Sequence, residues 1–324
     1  MAETNAWAFP ATLQPSPDEA RFDLASALDS VVLLRAEVPE DAFTASILGT
    51  ERVGNGVAIR DDGLIVTIGY LITEAESIWL TTNRGTVVQG HALAYDQRTG
   101  FGLVQPLGAL GVRPLQRANA PAVALNDNVI VIGHGGRPHS LKTKIIGKRE
   151  FAGYWEYVLD EALFTAPAHP QWGGAALVGQ DGLLLGIGSL LVQESAGGKT
   201  VDGNMFVPIA LLAPILDELL AHGRAAGSAR PWLGIYATEM DGHLVIGGLA
   251  PGGPAERAGV KLGDLVLEVG GEPVAGLAAM FRRIWGSGSA GSDVTLTLSR
   301  RGASSKVVVH SADRGDFLKK PRLH

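Results

Sequence analysis

Short apolar runs separated by turns dominate the chain between residues 25 and 223. The runs are rich in valine, isoleucine and leucine, and they are bounded by glycine, Asp-Gly or Asn-Arg-Gly. Examples are residues 30–34, 63–67, 77–81, 128–132 and 182–187. Runs this short, spaced by turns, are typical of the strands of a β-barrel or β-sandwich. The pattern therefore predicts a mainly β domain.

A helix is predicted at the end of this domain. Leucine and isoleucine recur there at helical spacing, at Leu211, Leu212, Ile215, Leu216, Leu219 and Leu220. Pro208 is suited to open the helix and Gly223 to close it, because proline is favoured in the first turn and glycine just after the last one.

Changes in composition divide the chain into five parts. Residues 1–24 form a proline-rich arm carrying Trp7 and Phe9, and residues 25–223 form the β domain. Residues 224–230 are a linker of small residues, residues 231–312 form a second domain, and residues 313–324 are a solvated tail. Such a linker is a natural domain boundary.

Composition limits the function classes. The chain has 324 residues, 43 glycines, no cysteine and a net charge of −6. The length suggests about two domains, and the acidic balance offers no footprint for nucleic acid. The absence of cysteine excludes disulfides and thiol catalysis. His134 and His139 lie five apart in a Gly/Pro-rich loop and do not make a ligand set, so we expect no metal and no cofactor.

No apolar run approaches the length of a membrane span, and residues 14–28 are too polar for a signal-peptide core. We therefore expect no membrane span and a cytoplasmic location, with the periplasm as the alternative.

Three segments of the β domain carry a resemblance to a known family. They read GNGVAIRDDGLIVTIGYLI at residues 54–72, AYDQRTGFGLV at residues 94–104 and HPQWGGAALV at residues 169–178. They resemble the segments that carry the catalytic histidine, aspartate and serine of HtrA/Deg-type trypsin-like serine proteases. The resemblance implies two six-stranded β-barrels. It places Tyr70 at the histidine, Gly100 at the aspartate and Gly173 at the nucleophile.

Neither reading of the alignment restores a triad. Asp96 matches an earlier aspartate of the second segment, and a shift of one residue in the third would place Trp172 at the nucleophile. Acyl transfer needs an oxygen or sulfur nucleophile, an imidazole base and a carboxylate that orients the base. We expect no catalytic residue here, although backbone N–H groups of the oxyanion-type loop, Gln171, Trp172 and Gly173, could still bind a carbonyl.

Displaced residues are the alternative. Thr165 and Ser189 could supply a hydroxyl, and His134, His139 and His169 an imidazole. A rebuilt triad would require a nucleophile, a base and an orienting group to converge. The simpler interpretation makes Ser189 a strand residue and His169 a replacement for an asparagine of the motif.

The second domain resembles a PDZ domain over nearly its whole length. PWLGI at residues 231–235 matches the family's carboxylate-binding segment, and residues 250–269 and 270–274 match its following motifs in order. The resemblance implies an α+β partial barrel of five or six strands with two helices. Such a domain pairs an extended peptide with an exposed strand edge, here residues 234–238, and holds its terminal carboxylate on backbone N–H groups. Glycine at position 234 would let these groups turn inward.

We expect the N–H groups of residues 232–234 to hold the carboxylate, and the helix containing Leu277 and Ile284 to form the other wall of the groove. Leu277 and Ile284 fit the core better than the groove, and either Met280 or Phe281 could line it. The predicted peptide-binding residues are Trp232, Leu233, Gly234, Ile235, Tyr236, Met280 and Phe281. A closed groove used only for packing is the alternative.

The leading functional hypothesis is a catalytically inactive HtrA-like protein that binds peptide or protein C-termini and acts as an adaptor, scaffold or regulator in protein quality control. The alternatives are an active serine endopeptidase with a displaced triad, and a chaperone-like holdase. Because N-terminal aromatic residues commonly join protomers in this family, Trp7 and Phe9 also suggest a homotrimer. A hetero-oligomer with an active paralogue is a further expectation.

Overall fold

The structure is a computed structural model that describes residues 7–119, 123–196 and 198–320. The chain separates into two compact units. Among the described residues, the first contains those from Trp7 to Arg149 and from Glu161 to Ala225, together with Lys320. The second is formed by Glu150–Asp160 and Ala226–Lys319.

Two closed six-stranded barrels make up most of the first unit, with antiparallel strand orders β1-β2-β3-β6-β5-β4 and β10-β11-β12-β9-β8-β7. The first barrel contains β1 (Val31–Glu37), β2 (Glu51–Ala58), β3 (Ile65–Ile68), β4 (Ser77–Thr81), β5 (Val87–Tyr95) and β6 (Phe101–Pro106). The second contains β7 (Asn128–Ile132), β8 (Ser140–Gly153), β9 (Tyr157–Ala166), β10 (Ala176–Val178), β11 (Leu184–Ala196) and β12 (Lys199–Pro208). The predicted double barrel is confirmed.

Each barrel closes on its own apolar interior. Leu34, Phe101 and Leu103 are fully buried in the first barrel, and Val131 and Phe206 in the second. Alternation along the strands produces this arrangement, because successive side chains of a strand point to opposite faces. In the described part of this unit, three α-helices flank the strands: α1 (Leu24–Asp29), α2 (Ala45–Leu48) and α3 (Leu216–His222).

The helix predicted from Pro208 is shorter than the leucine pattern suggested. Strand β12 runs through Pro208, a 3-10 turn covers Ile209–Leu211, and α3 begins only at Leu216. Pro214 explains the delay, because proline lacks an N–H donor and disfavours helical backbone in the residue before it. The helix ends at Gly223, which has a φ of 70°.

The second unit contains a six-stranded sheet and two helices. Its strands are β13 (Ile235–Met240), β14 (His243–Leu249), β15 (Leu265–Val269), β16 (Glu272–Pro273), β17 (Asp293–Arg300) and β18 (Ala303–His310). Their order is β13-β14-β15-β17-β18, with β16 paired to β15. Helices α4 (Pro254–Arg257) and α5 (Leu277–Gly286) complete it. This agrees with the predicted partial barrel.

Two segments fall differently from the predicted division of the chain. The β8–β9 hairpin tip, Glu150–Asp160, belongs to the second unit although the sequence placed it in the first domain. Its Val158 packs in the apolar core of the second unit. The predicted solvated tail also contains a 3-10 turn, Arg314–Phe317, and the Phe317 ring lies 4.7 Å from the Trp232 ring.

Candidate functional site

The three positions predicted to match a catalytic triad lie together in the first unit. A β-carbon at Gly173 would lie 2.9 Å from the Tyr70 hydroxyl oxygen. The carbonyl of Gly100 accepts a 2.7 Å hydrogen bond from the N–H of Gly69, the residue before Tyr70. Neither glycine offers a side chain, so the only reactive group at the three positions is the phenol of Tyr70.

The Tyr70 phenol is held as a hydrogen-bond donor. It donates to the backbone oxygen of Ser189 at 2.9 Å. Burial raises the pKa of this phenol, although a hydrogen bond from the Trp172 side chain opposes the shift. A buried phenol with a raised pKa stays protonated, so it cannot accept a proton as a general base.

Asp96 does not orient a base. Its Oδ2 accepts hydrogen bonds from the N–H and the hydroxyl of Thr99, at 2.8 and 2.7 Å. These contacts close the turn that leads to Gly100, which has a φ of 84°. The side chain therefore shapes the loop between β5 and β6.

His169 builds the loop that precedes Gly173. Its N–H donates to Asn204 Oδ1 at 2.6 Å, its ring Nε2 lies 2.9 Å from the carbonyl oxygen of His139, and its Nδ1 accepts from the N–H of Gln171 at 3.0 Å. A carbonyl can only accept, so Nε2 carries the proton. Burial lowers the pKa of His169 to about 4, and both ring nitrogens are engaged.

Hydrogen bonds within the protein fix the predicted oxyanion-type loop. The N–H of Gln171 is directed to His169, and the carbonyl of Gly173 accepts from the N–H and the side-chain amide of Asn55, at 2.8 and 3.1 Å. The carbonyl of Trp172 accepts from the N–H of Ala175. The Gln171 N–H, one of the expected donors to a substrate carbonyl, is therefore already used by the protein.

Among the described residues, no hydrogen bond joins the hydroxyl of Thr165 to a candidate histidine, although His139 and His169 lie together. Thr165 is fully buried in β9, and its hydroxyl has no hydrogen-bond partner among the described residues. Ser189 is buried at a register shift of β11, where its carbonyl receives the Tyr70 phenol. Burial lowers the pKa of both His134 and His139.

Trp7 and Phe9 of the N-terminal arm lie against His139 and His169. The Trp7 ring lies 4.5 Å from the His139 ring and 5.7 Å from the His169 ring, and the Phe9 ring lies 5.1 Å from the His169 ring. The two aromatic residues therefore anchor the arm within their own chain.

Metal and membrane sites find no support in the described part of the chain. Over residues 7–119, 123–196 and 198–320, no cluster of three or more histidine, aspartate or glutamate side chains could hold a metal ion. In the same ranges, no helix has the length and apolarity needed to cross a membrane.

The carboxylate-binding segment of the second unit lies one residue later than predicted. The N–H groups of Leu233, Gly234 and Ile235 converge on the carboxylate of Glu156, with shortest distances of 3.2, 2.7 and 3.0 Å. The N–H of Trp232 instead pairs with the carbonyl of Ala312 at 3.0 Å. Gly234 has a φ of 74°, a backbone conformation that favours glycine.

The predicted groove residues are buried or half-buried. Met280, Phe281 and Ile284 of α5 are all fully buried in the core of the second unit, whereas Leu277 is only partly buried. Neither Met280 nor Phe281 is exposed, and Val158 of the hairpin tip packs in the same core. The Tyr236 ring lies 6.1 Å from the Tyr154 ring of the same tip.

Sequence reasoning missed Glu156. It is 3% exposed, and burial raises its pKa to about 7 even though the N–H groups of residues 233–235 and the charge of Arg314 act to lower it. The available signal was a single carboxylate among aromatic residues, with Tyr154 and Trp155 before it and Tyr157 after it.

Comparisons with protein families agree with this architecture. Residues 54–187 match the trypsin-like peptidase domain, and residues 231–310 match the PDZ domain.

Among curated proteins, the chain is 27% identical over 288 residues to a probable periplasmic serine endoprotease, DegP-like, of Halomonas elongata, covering 82% of this chain and 58% of that protein. It is 28% identical over 245 residues to the serine endoprotease DegS of Escherichia coli, covering 68% and 66%. The chain thus spans about three fifths of the length of the DegP-like relative.

Solved structures show the same fold. An HtrA-type protease, AlgW with decapeptide, superposes with a TM-score of 0.53 at 17% identity, covering 93% of this chain and all of that chain (100%). A serine endoprotease from Yersinia pestis superposes with a TM-score of 0.53 at 21% identity, covering 91% and 99%.

Proposed function

We propose that this chain, which is an HtrA/Deg-type protein with a trypsin-like peptidase domain followed by one PDZ domain, is a catalytically inactive member that binds peptide or protein C-termini. The single observation that carries the proposal is the pairing of Gly173 with Tyr70. At the point where a nucleophile and its base would meet, the chain has a glycine opposite a buried, hydrogen-bonded phenol.

The chemistry of that pairing argues against peptidase activity. Covalent catalysis needs a nucleophile activated by a neighbouring base, and a glycine supplies none. A trypsin-like site that lacks triad members keeps only the small rate advantage of binding and of its oxyanion donors. The N–H of Gln171 is already engaged by His169, which reduces that advantage further.

Peptidase activity is tested by incubating the purified full chain with unfolded casein and, separately, with a fluorophosphonate probe. The DegP protease of Escherichia coli, one of the relatives, serves as the positive control. We expect neither cleavage nor labelling of the chain. Labelling at any hydroxyl side chain, accompanied by cleavage of casein, would establish the active-peptidase alternative.

C-terminal recognition rests on the backbone N–H groups of residues 233–235, which form a carboxylate-sized nest beside the edge strand β13. The test measures binding of fluorescent decapeptide pools, randomised at their last four positions, with either a free or an amidated C-terminus. We expect binding that amidation abolishes. Equal binding of the two pools would contradict recognition of a terminal carboxylate.

The cellular role and assembly belong to the same proposal. A chain that binds C-termini without cleaving them can act as an adaptor, scaffold or regulator in protein quality control. A homotrimer, or a mixed oligomer with an active paralogue, is tested by sedimentation of the chain alone and with that paralogue. The cytoplasmic location is also proposed, and cell fractionation tests it.

A further inference from the structure

The nest formed by residues 233–235 already holds a carboxylate that comes from this chain. Glu156 Oε1 accepts from Gly234 and Ile235 at 2.7 and 3.0 Å, and both carboxylate oxygens lie within 3.3 Å of the N–H of Leu233. Three converging N–H groups are the arrangement that captures a peptide's terminal carboxylate. The side chain of Glu156 therefore occupies the position that a ligand would need.

The backbone of the hairpin tip also makes a hydrogen bond to the strand edge that a ligand would use. The N–H of Ala237 in β13 donates to the carbonyl of Tyr154 at 3.2 Å. Tyr154 and Glu156 both belong to the turn of the hairpin, so a single turn supplies the carbonyl that reaches β13 and the carboxylate that reaches the nest. The tip thus combines an edge hydrogen bond with a carboxylate in the nest.

Further contacts hold the tip in place. Val158 is buried in the core that contains Met280, Phe281 and Ile284. The Arg282 guanidinium of α5 forms ion pairs with Glu150 and Asp160. Both sides of the tip are therefore bound to the same helix.

Placing Glu156 in the nest nevertheless has two energetic costs. Glu156 has a φ of 60°, in the left-handed region that L-residues rarely adopt, and its carboxylate is removed from water. An external carboxylate on the same three N–H groups would let this side chain return to solvent. In this competition one carboxylate replaces another on the same three N–H groups.

We propose that the hairpin tip, residues 154–156, is an internal ligand that closes the PDZ carboxylate nest, and that C-terminal peptides bind by displacing Glu156. This regulation rests on the proposed function, since it concerns the same nest. It makes C-terminal binding by the full chain conditional on release of the tip, and the affinity for an external peptide falls by the fraction of molecules whose nest is open.

The first test compares full-length variants for binding of the free and amidated decapeptide pools. Glu156→Ala removes the internal carboxylate, and Glu156→Gln keeps the side-chain volume while removing its charge. Glu161→Ala is the matched control, because Glu161 lies on the same hairpin and pairs only with the Lys148 side chain at 3.5 Å among the described ion pairs. We expect Glu156→Ala to bind the free pool about tenfold or more tightly than the parent chain, and Glu156→Gln, whose amide oxygen can still accept from the nest, to gain less, with no gain for Glu161→Ala or for the amidated pool.

The second test reads the nest without a peptide. Hydrogen exchange of the amides of residues 233–235 is measured in the parent chain, in Glu156→Ala and in Glu161→Ala. We expect these amides to lose protection selectively in Glu156→Ala, while those of the sheet strands β17 and β18 keep theirs.

The two tests separate the two proposals. Equal peptide binding by the parent chain and both Glu156 variants would overturn the internal-ligand proposal and leave C-terminal recognition standing. Loss of amide protection without any peptide binding would overturn C-terminal recognition and leave Glu156 as the occupant of the nest. Unchanged protection in Glu156→Ala would overturn the occupancy itself.

Discussion

At the scale of single residues, the geometry around Gly173 explains why one substitution cannot return a nucleophile to this site. A β-carbon at position 173 would lie 2.9 Å from the Tyr70 hydroxyl, which is itself fixed on Ser189. The glycine and the tyrosine therefore accommodate each other. A serine at position 173 would clash with Tyr70, and a histidine at position 70 would face no nucleophile at Gly173.

We expect Gly173→Ser to lower the free energy of unfolding by about 1–3 kcal/mol, the usual cost of overpacking, without creating fluorophosphonate labelling. The double variant Gly173→Ser/Tyr70→His should recover part of the lost stability, since imidazole is shorter than phenol. Urea unfolding measures both effects. Gly286→Ser is the control, because an added β-carbon there meets no atom within 4 Å. A fully stable Gly173→Ser variant would show that Tyr70 moves freely.

Glu156 gives the molecule a pH dependence whose sign follows from its burial. Its pKa is raised from 4.5 to about 7 in the folded chain. A group with a raised folded pKa contributes stability that is fully present below pH 4.5 and is lost as the pH rises through about 7. Arg314 and Tyr236 face this carboxylate, with Tyr154 beside Tyr236. Arginine keeps its charge here, and burial raises the pKa of Tyr236.

Relative to Glu156→Gln, which stays neutral, the parent chain should lose up to about 3 kcal/mol of unfolding free energy between pH 4.5 and pH 7, at about 1.4 kcal/mol per pKa unit. Urea unfolding at a series of pH values measures the difference. Glu161→Gln is the control for a carboxylate elsewhere on the hairpin. A difference that stays constant with pH would mean that the Glu156 carboxyl titrates at its ordinary pKa.

At the scale of elements, a buried arginine fixes the 3-10 turn Gly69–Leu71, which carries Tyr70. Arg52 is 4% exposed, and its Nη1 donates to the carbonyls of Tyr70 and Thr73 at 2.7 and 2.9 Å. Its Nη2 donates to the hydroxyl of Thr44 at 2.7 Å, and that hydroxyl donates to Glu74 at 2.6 Å. The network joins the turn to the segment that leads into α2.

We expect Arg52→Met to lower the free energy of unfolding by about 3–5 kcal/mol, because it removes the buried guanidinium that donates to Tyr70, Thr73 and Thr44 and whose charge interacts with Glu74. The exposed pair of Arg60 with Asp62 provides the comparison, and Arg60→Ala should cost less than about 1 kcal/mol. Chemical denaturation of the two variants checks the contrast. Equal losses would mean that the buried network is no stronger than a solvated ion pair.

Elements also show how far the sequence could be followed. Short valine-rich and isoleucine-rich runs predicted the barrel strands because their periodicity is local, and Ser77–Thr81 and Asn128–Ile132 form strands as expected. The helix from Pro208 was wrong because a single interruption, Pro214, outweighed the leucine spacing. The shift of the nest from residues 232–234 to 233–235 reflects the Trp232 N–H, which pairs with Ala312 eighty residues later. No local pattern contains that contact.

At the scale of the whole molecule, the sequence predicted two domains. It did not predict that a segment inside the first domain belongs to the second unit. The hairpin tip is part of the first domain along the chain and part of the second unit in space. Glu156 meets Gly234 across 78 positions of sequence, and its nearest neighbours in the chain are ordinary aromatic residues. Family motifs could locate the nest, because its glycine is part of a motif. They could not locate its occupant, which belongs to no motif.

Because the hairpin tip belongs to the second unit, we can predict how that unit behaves when it is separated from the tip. A segment spanning residues 226–319 would lack both the Glu156 carboxylate and the Val158 side chain, leaving three N–H groups of the nest to water and a gap in the core. We expect it to unfold at a lower temperature than the same unit in the full chain. A synthetic peptide of residues 150–160 should raise that temperature in a saturable way, because a ligand that binds only the folded state stabilises it.

Thermal unfolding followed by circular dichroism, at increasing peptide concentration, measures this effect. The matched peptide with Glu156→Ala should stabilise the segment far less, since it offers no acceptor oxygen to the nest. If the segment is unfolded on its own, folding on addition of the parent peptide gives the same comparison. Equal effects of the two peptides would show that Val158 and the edge hydrogen bond, rather than the carboxylate, hold the tip on the second unit.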